Sequence, residues 1–144
     1  MKRNATAVWH GGGPTGSGTL TTMSGAFDNH PYSAKLRFQN EDGKEGTNPE
    51  ELIAAAHAGC FNMALAFGLT AAGFEPESLE TKAVLTMDKL DQGWTIVSIN
   101  LKLEGKVPGL TAEQFQEYAQ AAKAGCPVSR LLNCTITLDA NLAL

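Results

Sequence analysis

The sequence has no cluster of lysine or arginine and a net charge of −4, so the electrostatic footprint of a nucleic-acid or anionic-membrane binder is missing. Residues Met1 to Gly13 include Lys2 and Arg3 but no apolar run behind them, so no secretory signal is read and the expected compartment is the cytoplasm. Cysteine is scarce. There are three, an odd count without the close spacings of a disulfide scaffold, which suits reduced thiols in a reducing compartment. The cysteines and His10, His30 and His57 form neither a C-x-x-C nor an H-x-x-x-H pattern, so no zinc site is expected. Arginine is equally rare, limited to Arg3, Arg37 and Arg130. Charge is absent altogether from Leu52–Phe74, a stretch of 23 residues.

That uncharged stretch is long enough to suggest a membrane span. It is built of alanine and glycine more than leucine, however, contains His57, Asn62 and Thr70, and has Glu50 and Glu51 at one end with no basic anchor nearby. A buried helix of a soluble protein explains it better. Such a helix measures about 35 Å, whereas a compact chain of this size has a radius of gyration of about 15 Å, so one subunit can hardly surround it. A homodimer with the helix near its interface is therefore expected. With 144 residues, 43% of them hydrophobic, the chain is expected to form a single domain over 1–144.

Residues 6–10 and 18–23 read as strands separated by Gly11-Gly12-Gly13-Pro14, and Ser33–Phe38 alternates as a third, with Arg37 on the face opposite Leu36 and Phe38. Gln39–Thr47 is a loop. Asn48 then caps a helix with Pro49 at its first position and acids in its first turn, and Gly73 ends it. Thr81–Asp88 and Ser98–Leu103 alternate as strands about a turn at Asp91-Gln92-Gly93. Thr111 and Gln114 fit a capping box for a helix running to Ala124, and Pro127 restarts a shorter helix with Cys126 at its N-cap. A final strand places Cys134, Ile136, Leu138, Ala140 and Leu142 on one face. This order does not alternate as βαβ units, so the expected class is α+β with mainly antiparallel sheet.

Two cysteines suggest thiol redox chemistry. Cys60 shares a seven-residue stripe with Ile53 and Phe67, where burial alone would keep its thiol protonated and inert. Cys126 starts a helix, whose free N–H groups favour a thiolate. Cys134 reads as a packed core residue. A reactive Cys60 needs a fixed cation, and Arg37 and Arg130 are the candidates. Glu50 lies ten residues before Cys60, about 15 Å along the helix, so any role must pass through a bridging arginine or a partner subunit's site. His57, one turn before Cys60, leaves a Cys–His hydrolase open, and a non-enzymatic stress or small-ligand-binding protein is a further alternative.

As whole strings, residues 46–61, Gly-Thr-Asn-Pro-Glu-Glu-Leu-Ile-Ala-Ala-Ala-His-Ala-Gly-Cys-Phe, and residues 122–129, Ala-Lys-Ala-Gly-Cys-Pro-Val-Ser, resemble the two signatures of the OsmC/organic hydroperoxide resistance family. Trp9, Ser24-Gly25 and Ala72-Gly73-Phe74 also resemble its osmotically inducible protein C branch. The resemblance implies an intertwined α+β homodimer with an OsmC-like fold, mainly antiparallel sheets around long central helices and two sites at the interface. It implies a cysteine-dependent peroxidase for organic hydroperoxides, with Cys60 as peroxidatic cysteine, Cys126 as resolving cysteine in a Cys60–Cys126 disulfide, and Glu50 positioning the catalytic arginine. In the hydroperoxide-resistance branch that arginine lies in an early glycine-rich turn, but Gly11-Gly12-Gly13-Pro14 has none; the osmotically inducible branch matches Arg37 instead. The implied reductant is an external dithiol such as the lipoyl group of a carrier protein. No metal, haem, flavin or other cofactor is implied, and Cys134 falls outside the pattern.

Overall fold

The computed structural model describes residues 1–143. The chain divides into two compact units, Met1–Leu52 and the part from Ile53 onward. In the first, β1 (Ala5–His10), β2 (Ser17–Thr22) and β3 (His30–Ser33) form an antiparallel sheet in that order. Trp9 pairs with Gly18, where a Cβ would meet the Val8 carbonyl oxygen at 1.9 Å. Glycine there lets Tyr32 come within 5.3 Å of the Trp9 ring, centroid to centroid.

The strand expected over Ser33–Phe38 is not formed. Ser33 ends β3 and its hydroxyl accepts the Leu36 N–H at 3.0 Å, capping a short helix, α1 (Ala34–Phe38). A serine able to satisfy a free helical N–H overrides a weak alternation of side chains. Arg37 accordingly stands on a helix, not on a strand face. Asn48 caps α2 (Pro49–Ala71) as expected, its side-chain oxygen accepting the Glu51 N–H at 2.8 Å.

In the second unit α2 ends in a Schellman motif. The Phe74 N–H reaches the Leu69 carbonyl and the Gly73 N–H that of Thr70, with Gly73 at φ 89°. There follow β4 (Ser78–Leu90), β5 (Gly93–Lys106), α3 (Ala112–Gly125), α4 (Pro127–Leu131) and β6 (Thr135–Leu142). Leu90 pairs with Gly93 across Asp91-Gln92, the expected hairpin turn. The sheet order is β4-β5-β6, with β4 antiparallel to β5 but β6 parallel to it. A parallel pair needs a crossover, which α3 and α4 provide, so this sheet contains the βαβ-like connection that the element order argued against. The capping box of α3 forms in full between Thr111 and Gln114.

The core of this unit joins Phe61, Leu65 and Leu69 of α2, Ile99, Leu101 and Leu103 of β5, and Phe115, Ala119 and Ala122 of α3. Phe115 packs on Gly105, where a Cβ would lie 2.2 Å from its ring. The fully buried stripe of α2 is thus His57, Phe61, Leu65 and Leu69; of the expected Ile53, Cys60 and Phe67, the first two are half-buried against this core and Phe67 is 72% exposed. Core partners on β5 and α3 select the stripe, which seven-residue spacing alone does not reveal. Asn62 fixes α2 to β4, donating to the Leu79 carbonyl at 3.1 Å and accepting from Thr81 Oγ1 at 2.6 Å. By length and composition α2 could cross a membrane, and Met63 and Phe67 leave part of its apolar surface open.

Candidate active site

Cys126 closes α3 and opens α4. Its N–H donates to the Ala122 carbonyl at 2.9 Å, and Pro127 stops α3 because it lacks the N–H that would continue the ladder. This corner turns the Cys126 thiol toward α2, and the Cys126 and Cys60 sulfurs lie 2.9 Å apart. Both are free thiols. A disulfide of about 2.05 Å therefore needs less than about 1 Å of sulfur movement. Cys126 is 0% exposed, whereas Cys60 is only half-buried, so of the two only Cys60 can meet a molecule from solvent.

The two sulfurs differ in their electrostatics. Burial, then the hydrogen bond with Cys126, pushes the Cys60 thiol above its ordinary range, against a smaller downward pull from the Val128 N–H. Burial also pushes Cys126 up, but the hydrogen bond with Cys60, the N–H and hydroxyl of Ser129 and the N–H of Val128 together outweigh it, so its pKa is lowered. The surroundings thus pull the Cys126 thiol down and push Cys60 up, and Cys60 needs a further cation to ionise. Cys134 has only burial acting on it, which raises its pKa and fits a packed, unreactive thiol.

His57 is fully buried, and burial lowers its pKa. Its Nε2 lies 2.7 Å from Ser129 Oγ, while Nδ1 has no partner. His57 is therefore committed to Ser129 and is not paired with Cys60. Ser129 was given no role from sequence. Its signal was present, because it occupies the N3 position behind an N-cap Cys126, where a side chain can reach back to the cap.

In the first unit, Arg37 Nε donates to both carboxylate oxygens of Glu50 at 3.1 and 3.2 Å, and Nη2 donates to Oε1. The guanidinium carbon also lies 5.0 Å from the Phe38 ring centroid. Glu50 is the more enclosed partner, with 14% of its side chain exposed against 36% for Arg37. This fork leaves the Nη1 edge of the guanidinium outside the pairing, available to bind oxygen atoms. Glu51 instead accepts from Thr47 Oγ1 at 2.8 Å. Arg130 is exposed, and its backbone N–H donates to the Cys126 carbonyl at 3.0 Å. Among the described residues, no group of three or more histidine, cysteine or acidic side chains could hold a metal ion.

An α+β fold with one antiparallel and one mixed sheet brings the two cysteines together, and the chain belongs to the OsmC family. The family model for OsmC-like proteins matches residues 41–141. The chain is 49% identical to peroxiredoxin OsmC of Escherichia coli strain K12 over 142 residues, covering 99% of this chain and 97% of that protein. It is 31% identical over 115 residues to the organic hydroperoxide resistance protein OhrB of Bacillus subtilis strain 168, covering 79% and 80% of the two chains. The crystal structure of Bacillus subtilis OhrB matches with a TM-score of 0.70 at 26% identity, covering 99% of this chain and 98% of that one. An OsmC-like protein of unknown function from Vibrio cholerae shares the fold at a TM-score of 0.80 and 15% identity, with 98% and 99% covered.

Proposed function

We propose that this protein is a cysteine-based peroxidase that reduces organic hydroperoxides, and hydrogen peroxide more slowly, to alcohols and water in oxidative or osmotic stress defence. The observation that carries this reading is the 2.9 Å contact between a half-buried and a fully buried free thiol. The names of the relatives, a peroxiredoxin and hydroperoxide resistance proteins, support it. The Cys60 thiolate attacks the terminal peroxide oxygen and the O–O bond breaks. The alkoxide takes a proton and leaves as the alcohol, and Cys60 is oxidised to a sulfenic acid. The Cys126 thiolate then attacks that sulfur, its electron pair forms the S–S bond, and the sulfenic oxygen departs as water after taking a proton. An external dithiol, with a lipoyl carrier protein as the expected type, reduces the disulfide and restores both thiols.

Arg37, held by Glu50, is proposed as the fixed cation that ionises Cys60, supplied by the same or the partner protomer of a homodimer. The open apolar surface of α2 supports that dimer, since burying Met63 and Phe67 between subunits removes them from water. Three free thiols favour a reducing compartment, the cytoplasm. The hydrolase reading is disfavoured because His57 Nε2 serves Ser129.

The test is turnover with a dithiol as electron donor, comparing second-order rate constants for cumene hydroperoxide, a fatty-acid hydroperoxide and hydrogen peroxide. Met63, Ala64 and Phe67 lie three, four and seven residues beyond Cys60 on the same helix face. Alkyl contact with such a surface contributes about 0.8 kcal/mol per CH₂, so the organic substrates should react faster, by about tenfold or more. A faster reaction with hydrogen peroxide would refute this preference. Absence of turnover with all three would refute the peroxidase reading.

A further inference from the structure

We propose that Gln116 and Lys123 of α3 form a strap over the free edge of β6, occupying its outward carbonyls so that β6 of a second copy of this chain cannot pair with it. The inference stands on the second unit alone and takes nothing from the peroxidase reading above.

Residue parity decides which backbone groups of β6 are free. β6 ends the sheet order β4-β5-β6, so among the described residues no strand lies beyond it. Gly105 of β5 stands in register with Leu142, and the Ala143 N–H donates to the Gly105 carbonyl at 2.8 Å. In a parallel ladder the N–H and C=O of one residue point the same way, and successive residues alternate. The backbone groups of Thr135, Thr137, Asp139 and Asn141 therefore face β5, and those of Ile136, Leu138 and Ala140 face the edge. Two of these three outward carbonyls are taken. Gln116 Nε2 donates to the Ala140 carbonyl, and Lys123 Nζ donates to the Ile136 carbonyl at 3.3 Å.

The spacing of the two donors matches that of their acceptors. Gln116 and Lys123 stand seven residues apart on one face of α3, two turns or about 10.5 Å. The carbonyls they reach are four residues apart on an extended strand, about 13 Å, in the opposite order, so α3 runs antiparallel to β6 and two long side chains span the difference. Its place in the last turn of α3 would explain Lys123 as a partner of the helix dipole, but not Gln116. β6 needs such cover. Its eight residues, Thr-Ile-Thr-Leu-Asp-Ala-Asn-Leu, include one charge, no proline and three β-branched side chains, a composition that adds to another strand wherever an edge is open. Two copies of β6 related by a two-fold axis would pair antiparallel through these same outward groups, which makes a second copy of this chain the occupant that the strap excludes.

The test combines Gln116→Ala with Lys123→Ala in the full chain, kept reduced by a dithiol. Gln116 is exposed, Lys123 is half-buried and alanine is the best helix former, so α3 should survive both changes. Mass is followed by sedimentation from about 1 μM to about 1 mM, the range in which open strand edges associate. The native protein should stay at its smallest stable assembly, whereas the double variant should grow into larger ones at concentrations lower by about tenfold or more. Each single variant should move that threshold part of the way, which supplies the same test if the double variant does not fold. Gln116→Lys with Lys123→Arg keeps a donor at each place and should behave as the native protein. Amide hydrogen exchange locates the contact, because the N–H groups of Ile136, Leu138 and Ala140 should exchange more slowly in the grown assembly by about tenfold or more. Native mass in the alanine variants throughout the range would overturn the proposal, as would equal growth of the donor-keeping variant. Growth that leaves these three amides exchanging at the native rate would also overturn it, since the new contact would then lie elsewhere.

Discussion

Replacing Cys60 by serine is expected to abolish peroxide reduction, while replacing Cys134 leaves most of it. A serine hydroxyl stays protonated at neutral pH and does not cleave the O–O bond, so the rate constant should fall by about 10³-fold or more, the scale on which removal of a covalent nucleophile acts. Cys134 packs against the core of the second unit and has no thiol partner, and burial raises its pKa. Its substitution should change stability slightly and turnover by less than about twofold. Peroxide consumption followed with a dithiol donor distinguishes the two. Equal losses in both variants would remove Cys60 from its assigned place.

The second large effect concerns the cation. Within the cysteine pair, burial and Cys126 work against ionisation of Cys60, and the Val128 N–H does not compensate. A guanidinium beside the sulfur lowers a thiol pKa by about 1–3 units. Arg37→Ala should therefore raise the pH at which Cys60 is alkylated by that order, with a corresponding loss in the rate of peroxide reduction at pH 7. Glu50→Gln should give a milder defect of the same kind, because the amide still accepts a hydrogen bond from Arg37 Nε but no longer fixes the fork with a full charge. Arg130→Ala should act chiefly on resolution, since Arg130 belongs to the helix that Cys126 opens. If the alkylation profile is unchanged in Arg37→Ala and shifts in Arg130→Ala, the two roles must be exchanged.

Much of the local structure was legible because single residues decide it. Asn48 and Pro49 start α2, Gly73 stops it, and Thr111 with Gln114 starts α3, each by satisfying or removing a backbone donor within a few residues. The alternation of β6 likewise reports its half-buried face. What the sequence left hidden was decided at long range or by a competing local bond. Ser33 turns an apparently alternating segment into α1. The stripe of α2 that faces inward is chosen by β5 and α3, so Phe67 lies in solvent and His57 in the core. The parallel register of β6 on β5 depends on where α3 and α4 return the chain. The Cys60–Cys126 contact spans 66 residues, and no spacing in the chain indicates it; only the resemblance of the two strings to a family did so. The His57–Ser129 bond, across 72 residues, had neither kind of signal beyond the N3 position of Ser129.

The most direct measurement is a free-thiol count before and after one equivalent of an organic hydroperoxide, with peptide mapping of the product. The chain has three cysteines. The account predicts that Cys60 and Cys126 are lost together into one disulfide within a single chain, while Cys134 remains a free thiol, counted after unfolding. Unchanged thiols, a Cys126–Cys134 bond or a bond between subunits would contradict it.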